Sequence, residues 1–409
     1  RQMSPWRDWV IAAFNRNMPV DQFITWQLAG DLLPDATHEQ RLATGFNRNH
    51  MQSQEGGIVS EEYRTEYVAD RVNTFGAAFL GLTLECARCH DHKYDPVLQK
   101  DYFKLFAFFN NVNETGQIPY SGMPSPTVTV STPEDFGNQG KLPTHPELLD
   151  YLAVSFRDSG WNLKGLLRQI VLSETYRQSS AASPQSLETD PANAKLSRGP
   201  SYRLAAEQIR DNALAASGLL VRKVGGPSVY PYQPPGLWEE LATRNATTYT
   251  QGTGDDLYRR SLYTVWKRTT PPPSAISFDA SERLLCTVKR QRTSTPLQAL
   301  VLLNDVQYVE AARVLAERVL LEGGPTPDER ITLAYRLLTS RRPTATELAA
   351  VKALHDKERA TFAARPKAAQ ALRGAGEKLP ARTLDPVDVA TWTVVASTIM
   401  NTDEAVNKR

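Results

Sequence analysis

Apolar residues recur every three or four positions over most of the chain, and this spacing predicts amphipathic helices. Trp6, Val10 and Phe14 share one face of a first predicted helix, and Asp21 is the expected N-cap of the next. A helix over 100–109 is so rich in aromatic residues that we expect burial on most of its sides. The same spacing predicts further helices over 60–82, 146–156, 163–176, 205–217, 296–303, 306–321, 327–339, 344–363 and 386–400.

Residues 110–146 interrupt this helical pattern, because Pro, Gly, Ser and Thr dominate there. The clearest strand-like alternation, Thr127–Val130, lies within this stretch. We place a linker or gap here, so that an N-terminal domain spans 1–125 and a C-terminal domain spans 126–409. The predicted fold is mainly α, with a helical N-terminal domain and a mostly helical C-terminal domain that has irregular loops and few short strands.

Composition excludes several classes of protein. The 409 residues carry a net charge of +2, which provides no general attraction to nucleic acid. No apolar run reaches the roughly 18 residues that a membrane-spanning helix needs. The sequence opens at Arg1 inside a predicted helix, which is typical of a trimmed exported precursor or of a fragment. The lack of a signal peptide therefore says nothing against export.

The motif Cys86-Ala-Arg-Cys89-His90 has the C-x-x-C-H spacing of covalent haem attachment. Two thiols three residues apart on a helical turn can reach the two vinyl groups of one porphyrin. The imidazole of the next residue then points at the iron. The sequence therefore predicts one covalent haem c, attached at Cys86 and Cys89, with His90 as the proximal iron ligand.

Other readings of this motif stay open. A zinc half-site would use Cys86, Cys89, His90 and His92, although no second cysteine pair is present to complete it. A dithiol redox pair would need a strand before the first cysteine, whereas the preceding pattern is helical. A purely structural cysteine pair is the third alternative. The remaining cysteine, Cys286, is expected to be buried and inert.

The second axial ligand of the predicted haem is less defined. His50 and Met51 lie in a polar loop and are the distal candidates, and an open or water-bound position is the alternative. His92 lies two residues after His90 and on a helix points nearly opposite to it, so it cannot bind the same iron. We expect it to orient a neighbour, to bond a propionate or to lie at the surface. Arg64 and Arg71 are candidates for pairing with the haem propionates, or else form ion pairs on a helix surface.

The region from Leu257 to Gln298 is locally basic and contains Tyr263 and Trp266. Its cations suit an anionic ligand such as a sulfated or carboxylated sugar, or the haem propionates; a solvated face is the alternative. Within it, 257–269 and 284–293 could be strands or buried helical turns. The cations are Arg259, Arg260, Lys267, Arg268, Arg283, Lys289, Arg290 and Arg292.

The Cys86 motif and several other sequence motifs resemble those of a known family. The first half resembles the planctomycete-type cytochrome-c-like domain in Arg7–Ile11, Gln27–Leu33, Glu55–Gly57 and Cys86–Pro96. The second half resembles the domain of unknown function that usually follows it, in Asp135–Gly140, Thr144–Leu149, Gly225–Ser228, Tyr232–Trp238, Tyr258–Tyr263 and Thr295–Asp305. The family usually carries further residues before the position of Arg1 and a longer insert before Asp135.

The resemblance implies an exported, extracytoplasmic protein, in the periplasm or at the cell surface, of bacteria that degrade complex polysaccharides. It carries the haem residues onto Cys86, Cys89 and His90. It assigns no catalytic residue, so whether the chain is an enzyme stays open. The leading hypothesis is a c-type haem protein that transfers electrons to an unknown redox partner, or does haem-dependent redox chemistry, in polysaccharide breakdown. The alternative is a polysaccharide-binding or polysaccharide-processing protein in which haem is secondary or absent. A structural surface protein is a third reading.

Overall fold

The computed structural model describes residues 3–50, 53, 57–112, 114–117, 143–240, 248–281, 283 and 290–408. Several sequence predictions lie outside these residues: the strand Thr127–Val130, the distal candidate Met51, the lone thiol of Cys286, the motif Asp135–Gly140 and most of the segment 284–293. Within the described residues the fold is mainly α with few short strands, as the sequence predicts.

Internal contacts divide the chain into two compact units. The first unit contains residues 1–199, 224–226 and 281–290, and the second contains 200–223, 227–280 and 291–409. The domain boundary near residue 125 rests on sequence motifs rather than on contacts, and it stays a prediction. No described helix is both long enough and apolar enough to cross a bilayer.

Nine helices are described in the first unit. They are α1 (Ser4–Asn15), α2 (Val20–Ala29), α3 (His38–Ala43), α4 (Ser60–Phe75), α5 (Gln99–Asn110), α6 (Pro146–Asp158), α7 (Leu163–Leu172), α8 (Glu174–Arg177) and α9 (Pro184–Thr189). The expected N-cap Asp21 is wrong by two residues, because Pro19 caps α2 and Asp21 lies in its first turn. In the first turn, its carboxylate still interacts favourably with the positive end of the helix dipole.

Helix α4 leads directly towards the Cys86 motif. It ends at Phe75, and a π-helical turn (Gly76–Leu80) carries the chain on to Gly81, whose positive φ of 67° stops the helix. An added Cβ at Gly76 would lie 2.6 Å from the Leu84 side chain, so only glycine allows this close packing. The helix therefore stops slightly before the predicted Leu82.

A small core joins α4, the Cys86 motif and α5. It consists of Val68, Val72, Leu84, Ala87, Tyr102 and Phe109. The expectation that the aromatic helix is buried on most sides is wrong: Phe103 and Phe108 are 45% and 43% exposed. Only one face of α5 packs against α4 and the motif, so its aromatic residues are divided between core and surface.

Ten helices are described in the second unit. They are α10 (Ala206–Ser217), α11 (Leu237–Glu240), α12 (Pro273–Ser277), α13 (Pro296–Asn304), α14 (Val306–Glu322), α15 (Pro327–Thr339), α16 (Ala345–Ala363), α17 (Pro366–Arg373), α18 (Pro386–Met400) and α19 (Asp403–Val406). The predicted bounds of α15 and α18 agree with the structure to the residue. The short helix α17 was not among the sequence predictions.

The core of the second unit is formed where α14 packs against α18 and α10, around Leu315, Ile331 and Trp392. A two-stranded antiparallel ribbon closes this unit, with β1 (Tyr202–Arg203) paired to β2 (Asn407–Lys408). Residues 257–269 form short 3-10 turns, Gly254–Tyr258 and Ser261–Tyr263, with isolated bridges rather than a continuous strand.

Candidate functional site

The Cys86 motif lies on a single tight turn at the surface of the first unit. Residues Glu85–Arg88 form a 3-10 helix, and the backbone N–H groups of Cys89 and His90 both donate to the Cys86 oxygen, at 3.3 and 3.5 Å. Cys86 and Cys89 are unbonded to each other and exposed, and His90 is exposed as well. One turn of backbone therefore presents two thiols and one imidazole to solvent.

The tautomer of His90 follows from its hydrogen bond. Its Nδ1 lies 2.8 Å from the backbone oxygen of Asp91. Because a carbonyl oxygen can only accept, Nδ1 carries a proton, and in the neutral ring Nε2 then has the lone pair. Within the described part of the chain no hydrogen bond to Nε2 is present. This is the arrangement that proteins use to orient a metal-binding imidazole.

Two contacts hold the turn against its neighbouring helices. The guanidinium of Arg88, between the two cysteines, pairs with the Glu66 carboxylate of α4, with Nη1 to Oε2 at 2.8 Å. This bond lowers the pKa of Glu66 and raises that of Arg88. From the other side, Gln99 at the start of α5 donates its side-chain amide to the Arg88 oxygen, at 3.2 Å. The turn is thus fixed to both α4 and α5.

The residues after His90 form a second turn, in which His92 and Asp95 are buried. The carboxylate of Asp91 accepts from the Gln99 N–H at 2.8 Å, which satisfies one unpaired donor at the start of α5. His92 is 7% exposed, and its Nδ1 accepts from the Asp95 N–H at 2.9 Å. The Oδ2 atom of Asp95 also lies 3.3 Å from Nδ1, but the backbone bond is shorter and leaves Nδ1 unprotonated. His92 therefore organises the turn.

The predicted distal ligand His50 lies in a buried polar cluster. Its Nε2 is 2.9 Å from Nη2 of Arg71, and since arginine only donates, Nε2 accepts that bond. Arg71 also makes a bidentate pair with Glu114, at 2.6 and 2.7 Å, and both side chains are at most 2% exposed. A distal role for His50 through Nε2 would require Arg71 to move. That role, and the propionate role of Arg71, stay predictions.

Arg64, the other propionate candidate, points along the surface of α4. Its guanidinium binds the Glu61 carboxylate, with Nε to Oε2 at 2.8 Å, and donates to the Asn110 side chain at 3.0 Å. The bond to Arg64 lowers the pKa of Glu61 and raises that of Arg64. This is the surface ion pair that the sequence left as the alternative to a propionate role.

The donor set at this turn fits covalent haem: two free, exposed thiols and an imidazole with an available Nε2. The apolar side chains of Leu80, Leu98, Phe103 and Phe108 are also exposed in the same unit. A cavity of 630 Å³ in this unit is lined by Trp6, Leu28, Leu42, Phe108 and other residues, but not by the motif itself. Among the described residues, no group of three or more His, Cys, Asp or Glu is arranged to hold a metal ion.

Comparison with protein families divides the sequence in the same order as its motifs. The model of the PSD1 family, a protein of unknown function (DUF1553), matches residues 127–355, which is more than half of the chain. The chain belongs to the PSD1 family. The model of PSCyt2, also a protein of unknown function (DUF1549), matches residues 1–114 and contains the Cys86 motif. The resemblance to a planctomycete-type cytochrome-like protein is thus confirmed at the level of the two families. No curated protein and no solved structure shows significant similarity to the chain.

The basic residues of the PSD1 region are not one solvated face. Arg259 is 3% exposed, donates to the Lys223 oxygen at 3.0 Å and stacks on Tyr263 with 3.8 Å to the ring centre. Lys267 lies 4.8 Å from the ring centre of Trp238. These two cations brace loops of the second unit, whereas Lys289 lies outside the described residues.

Sequence reasoning missed two charged residues that the structure makes prominent. Glu114 binds Arg71, yet it follows a polar stretch with no helical periodicity that would mark it as buried. Arg203 lies in β1 and is 8% exposed, although an arginine beside a Pro-rich loop is normally read as a surface residue. Both are buried because of contacts with residues distant in sequence, which no local pattern reports.

Proposed function

We propose that this chain is an exported c-type haem protein that carries one haem on Cys86 and Cys89, with His90 as the proximal ligand, and transfers electrons to an unidentified redox partner. The observation that carries the proposal is the turn itself, which presents two free thiols followed by an imidazole with a protonated Nδ1 and an available Nε2. The match of residues 1–114 to the PSCyt2 model and membership of the PSD1 family support it at a coarser level.

Each residue of the turn has a defined task in this proposal. The thiol of each cysteine adds across one vinyl group: sulfur bonds to carbon and its proton goes to the neighbouring carbon, with no net oxidation. Bound haem would supply a one-electron iron couple. The bond from His90 Nδ1 to Asp91 increases the basicity of Nε2 and fixes the ring orientation. The Arg88–Glu66 pair and the buried Ala87 hold the turn in place.

The test is direct. Protein produced with a cytochrome maturation system should gain the mass of one haem and show a c-type pyridine haemochrome band. Cys86→Ser combined with Cys89→Ser should lose both signals, whereas Cys286→Ser, the matched control at the third cysteine, should keep them. Unmodified wild-type polypeptide under these conditions would refute the proposal.

Spin state then separates electron transfer from ligand chemistry. A low-spin EPR signal of the oxidised protein indicates two protein ligands, which suits electron transfer, while a high-spin signal indicates an open position. His50→Ala should change a low-spin signal only if His50 leaves Arg71 to bind the iron. Export is tested by fractionating cells that produce the protein naturally and detecting this chain in each fraction with an antibody.

A second candidate function is binding or processing of polysaccharide, with haem secondary or absent. The second unit contains an aromatic group in which the ring centre of Trp238 lies 5.1 Å from that of Tyr249 and 6.3 Å from that of Tyr230. The Lys267 ammonium lies over the Trp238 ring. Aromatic rings and cations of this kind suit sugars and their anionic derivatives. Glycan-array binding that is retained in the double cysteine variant would favour this function over electron transfer.

A further inference from the structure

The second unit contains a cavity beside the β1–β2 ribbon. Its volume is 470 Å³, which is in the range of small-molecule sites. The ribbon contributes Tyr202, Arg203 and Asn407, and the segment before α13 contributes Arg292 to Thr295. This cavity involves no residue of the Cys86 motif, and of the basic residues that the sequence suggests for an anionic ligand only Arg292 is in its lining.

Arg203 forms a buried wall of this cavity, and two of its five N–H donors are hydrogen-bonded in the described structure. Its Nη1 donates to the Phe278 oxygen at 3.2 Å and its Nη2 to the Asp279 carboxylate. Its Nε is buried and has no hydrogen-bond partner in the described structure. The residue is only 8% exposed, and a buried N–H without an acceptor is costly. The Arg203 guanidinium therefore still has unused donors at the wall of the cavity.

Arg292 provides a second guanidinium at the mouth of the cavity. Its guanidinium carbon lies 4.3 Å from the ring centre of Tyr202, and Lys408 approaches the same ring at 5.8 Å. Stacking fixes the plane of the guanidinium and leaves its edge free. Among the described residues Arg292 makes no hydrogen bond or ion pair, so its five N–H donors are available.

The charges around the cavity do not create a large net field. Burial lowers the pKa of Arg203; Asp279 acts in the opposite direction, and nearby Arg292 lowers it further. Asp279 is already engaged by the N–H and hydroxyl of Thr293, at 2.7 and 2.9 Å. A carboxylate of the lining, Asp403, accepts from Asn407 at 2.6 Å. Selectivity for an anion therefore depends on directed donors rather than on net charge.

Hydroxyl and amide groups complete the lining. Ser294 and Thr295 lie at the N-terminal end of α13, where the helix dipole also favours negative charge. Apolar contact comes from Leu302 and Val406. A ligand with one oxyanion group and several hydroxyls would find a partner for each kind of group.

We propose that this cavity binds a small oxyanion-bearing ligand of monosaccharide size, a sugar sulfate or sugar carboxylate, with its anionic group between the guanidinium groups of Arg203 and Arg292. The proposal does not depend on haem. It gives the second unit a defined binding site, whether or not the first unit carries haem.

Isothermal titration of the whole chain at low salt tests this site with three probes: glucose 6-sulfate, glucuronate and neutral glucose. Both anions should bind, and the tighter one identifies the preferred oxyanion, while glucose should bind at least about tenfold more weakly. Arg292→Gln should weaken anion binding by at least about tenfold, because it removes a charged donor that makes no other bond. Arg382→Gln, which removes the same charge from an exposed arginine of the same unit, should leave binding unchanged.

Arg203→Lys provides a second variant that keeps the charge but removes the planar guanidinium and its fixed set of donors, and it should also weaken anion binding. Its thermal unfolding is recorded alongside, so that misfolded protein is recognised. Equal affinity for glucose and glucuronate, wild-type binding by Arg292→Gln, or no binding of either anion would overturn the proposal. The double variant Cys86→Ser with Cys89→Ser should bind the anions as wild type does, which separates this result from the haem tests.

Discussion

The buried pair between Arg71 and Glu114 allows a quantitative test of the first unit. Arg71 lies in α4, and Glu114 follows α5 by a few residues. Their side chains are 2% and 0% exposed and share two hydrogen bonds of 2.6 and 2.7 Å. Replacing Glu114 by Gln preserves the shape but leaves the guanidinium charge of Arg71 without its counter-charge.

Breaking a buried ion pair from one side typically costs about 3–5 kcal/mol. The expected loss lies near the lower end, about 3 kcal/mol, because the amide oxygen of Gln can still accept one bond and the Asn47 oxygen accepts from Arg71 Nε at 3.2 Å. For a unit of this size, that loss corresponds to a fall in Tm of roughly 6–12 °C.

Differential scanning calorimetry is the appropriate assay, because two units can unfold in separate transitions. The transition of the first unit should move while that of the second stays in place. Asp158→Asn, which removes a carboxylate from the exposed pair with Arg157, is the control and should shift Tm by less than about 1 °C. The double variant Arg71→Met with Glu114→Leu should recover most of the loss, because it leaves no buried charge. A Tm for Glu114→Gln equal to that of the control would refute this account of the pair.

Three further predictions concern pH and backbone geometry. The hydrogen bond from Arg341 lowers the pKa of Glu347 from 4.5 to about 2, so the pair stabilises the fold fully above about pH 5 and loses this effect as the pH falls towards 2. Tm should therefore fall with pH in this range, and Arg341→Gln should make that fall smaller. An equal fall of Tm in the variant and the wild type would contradict this prediction. Gly218→Ala should cost about 1 kcal/mol in urea unfolding, since φ is 86° with open space around the position, and no loss would argue against that φ. Gly116→Ala should lower the free energy of unfolding by more, roughly 2 kcal/mol, because the added Cβ would lie 1.8 Å from the Ser60 backbone oxygen. A smaller loss of stability than for Gly218→Ala would exclude this close approach.

Helix positions in the second unit were largely readable from local sequence. Thr326 and Glu329 form a capping box before α15, and Asp385 caps α18 ahead of a proline at its first position. Such signals act within four residues, so the bounds of these helices follow from the neighbouring side chains. The Cys86 motif belongs to the same class, because its spacing alone places both thiols and the imidazole on one turn.

The surroundings of that motif were less predictable. The sequence suggested His50 and Arg71 as partners of a haem, but it did not show Glu114, which lies 43 positions away from Arg71 and binds it. The aromatic helix α5 was expected to be buried on most sides, yet Phe103 and Phe108 remain exposed. Helical periodicity reports which residues share a face, but not how many faces other elements cover.

Local sequence thus determined the mainly α fold, most helix ends in the second unit and the arrangement of Cys86, Cys89 and His90. Tertiary structure decided which charged residues are buried and which meet: Arg71 with Glu114 in one unit, and Arg203 with Asp279 in the other. Capping and periodicity depend on bonds and contacts within one or two helical turns. Pairing of distant residues instead depends on how whole elements pack, and that becomes defined only when the chain closes on itself.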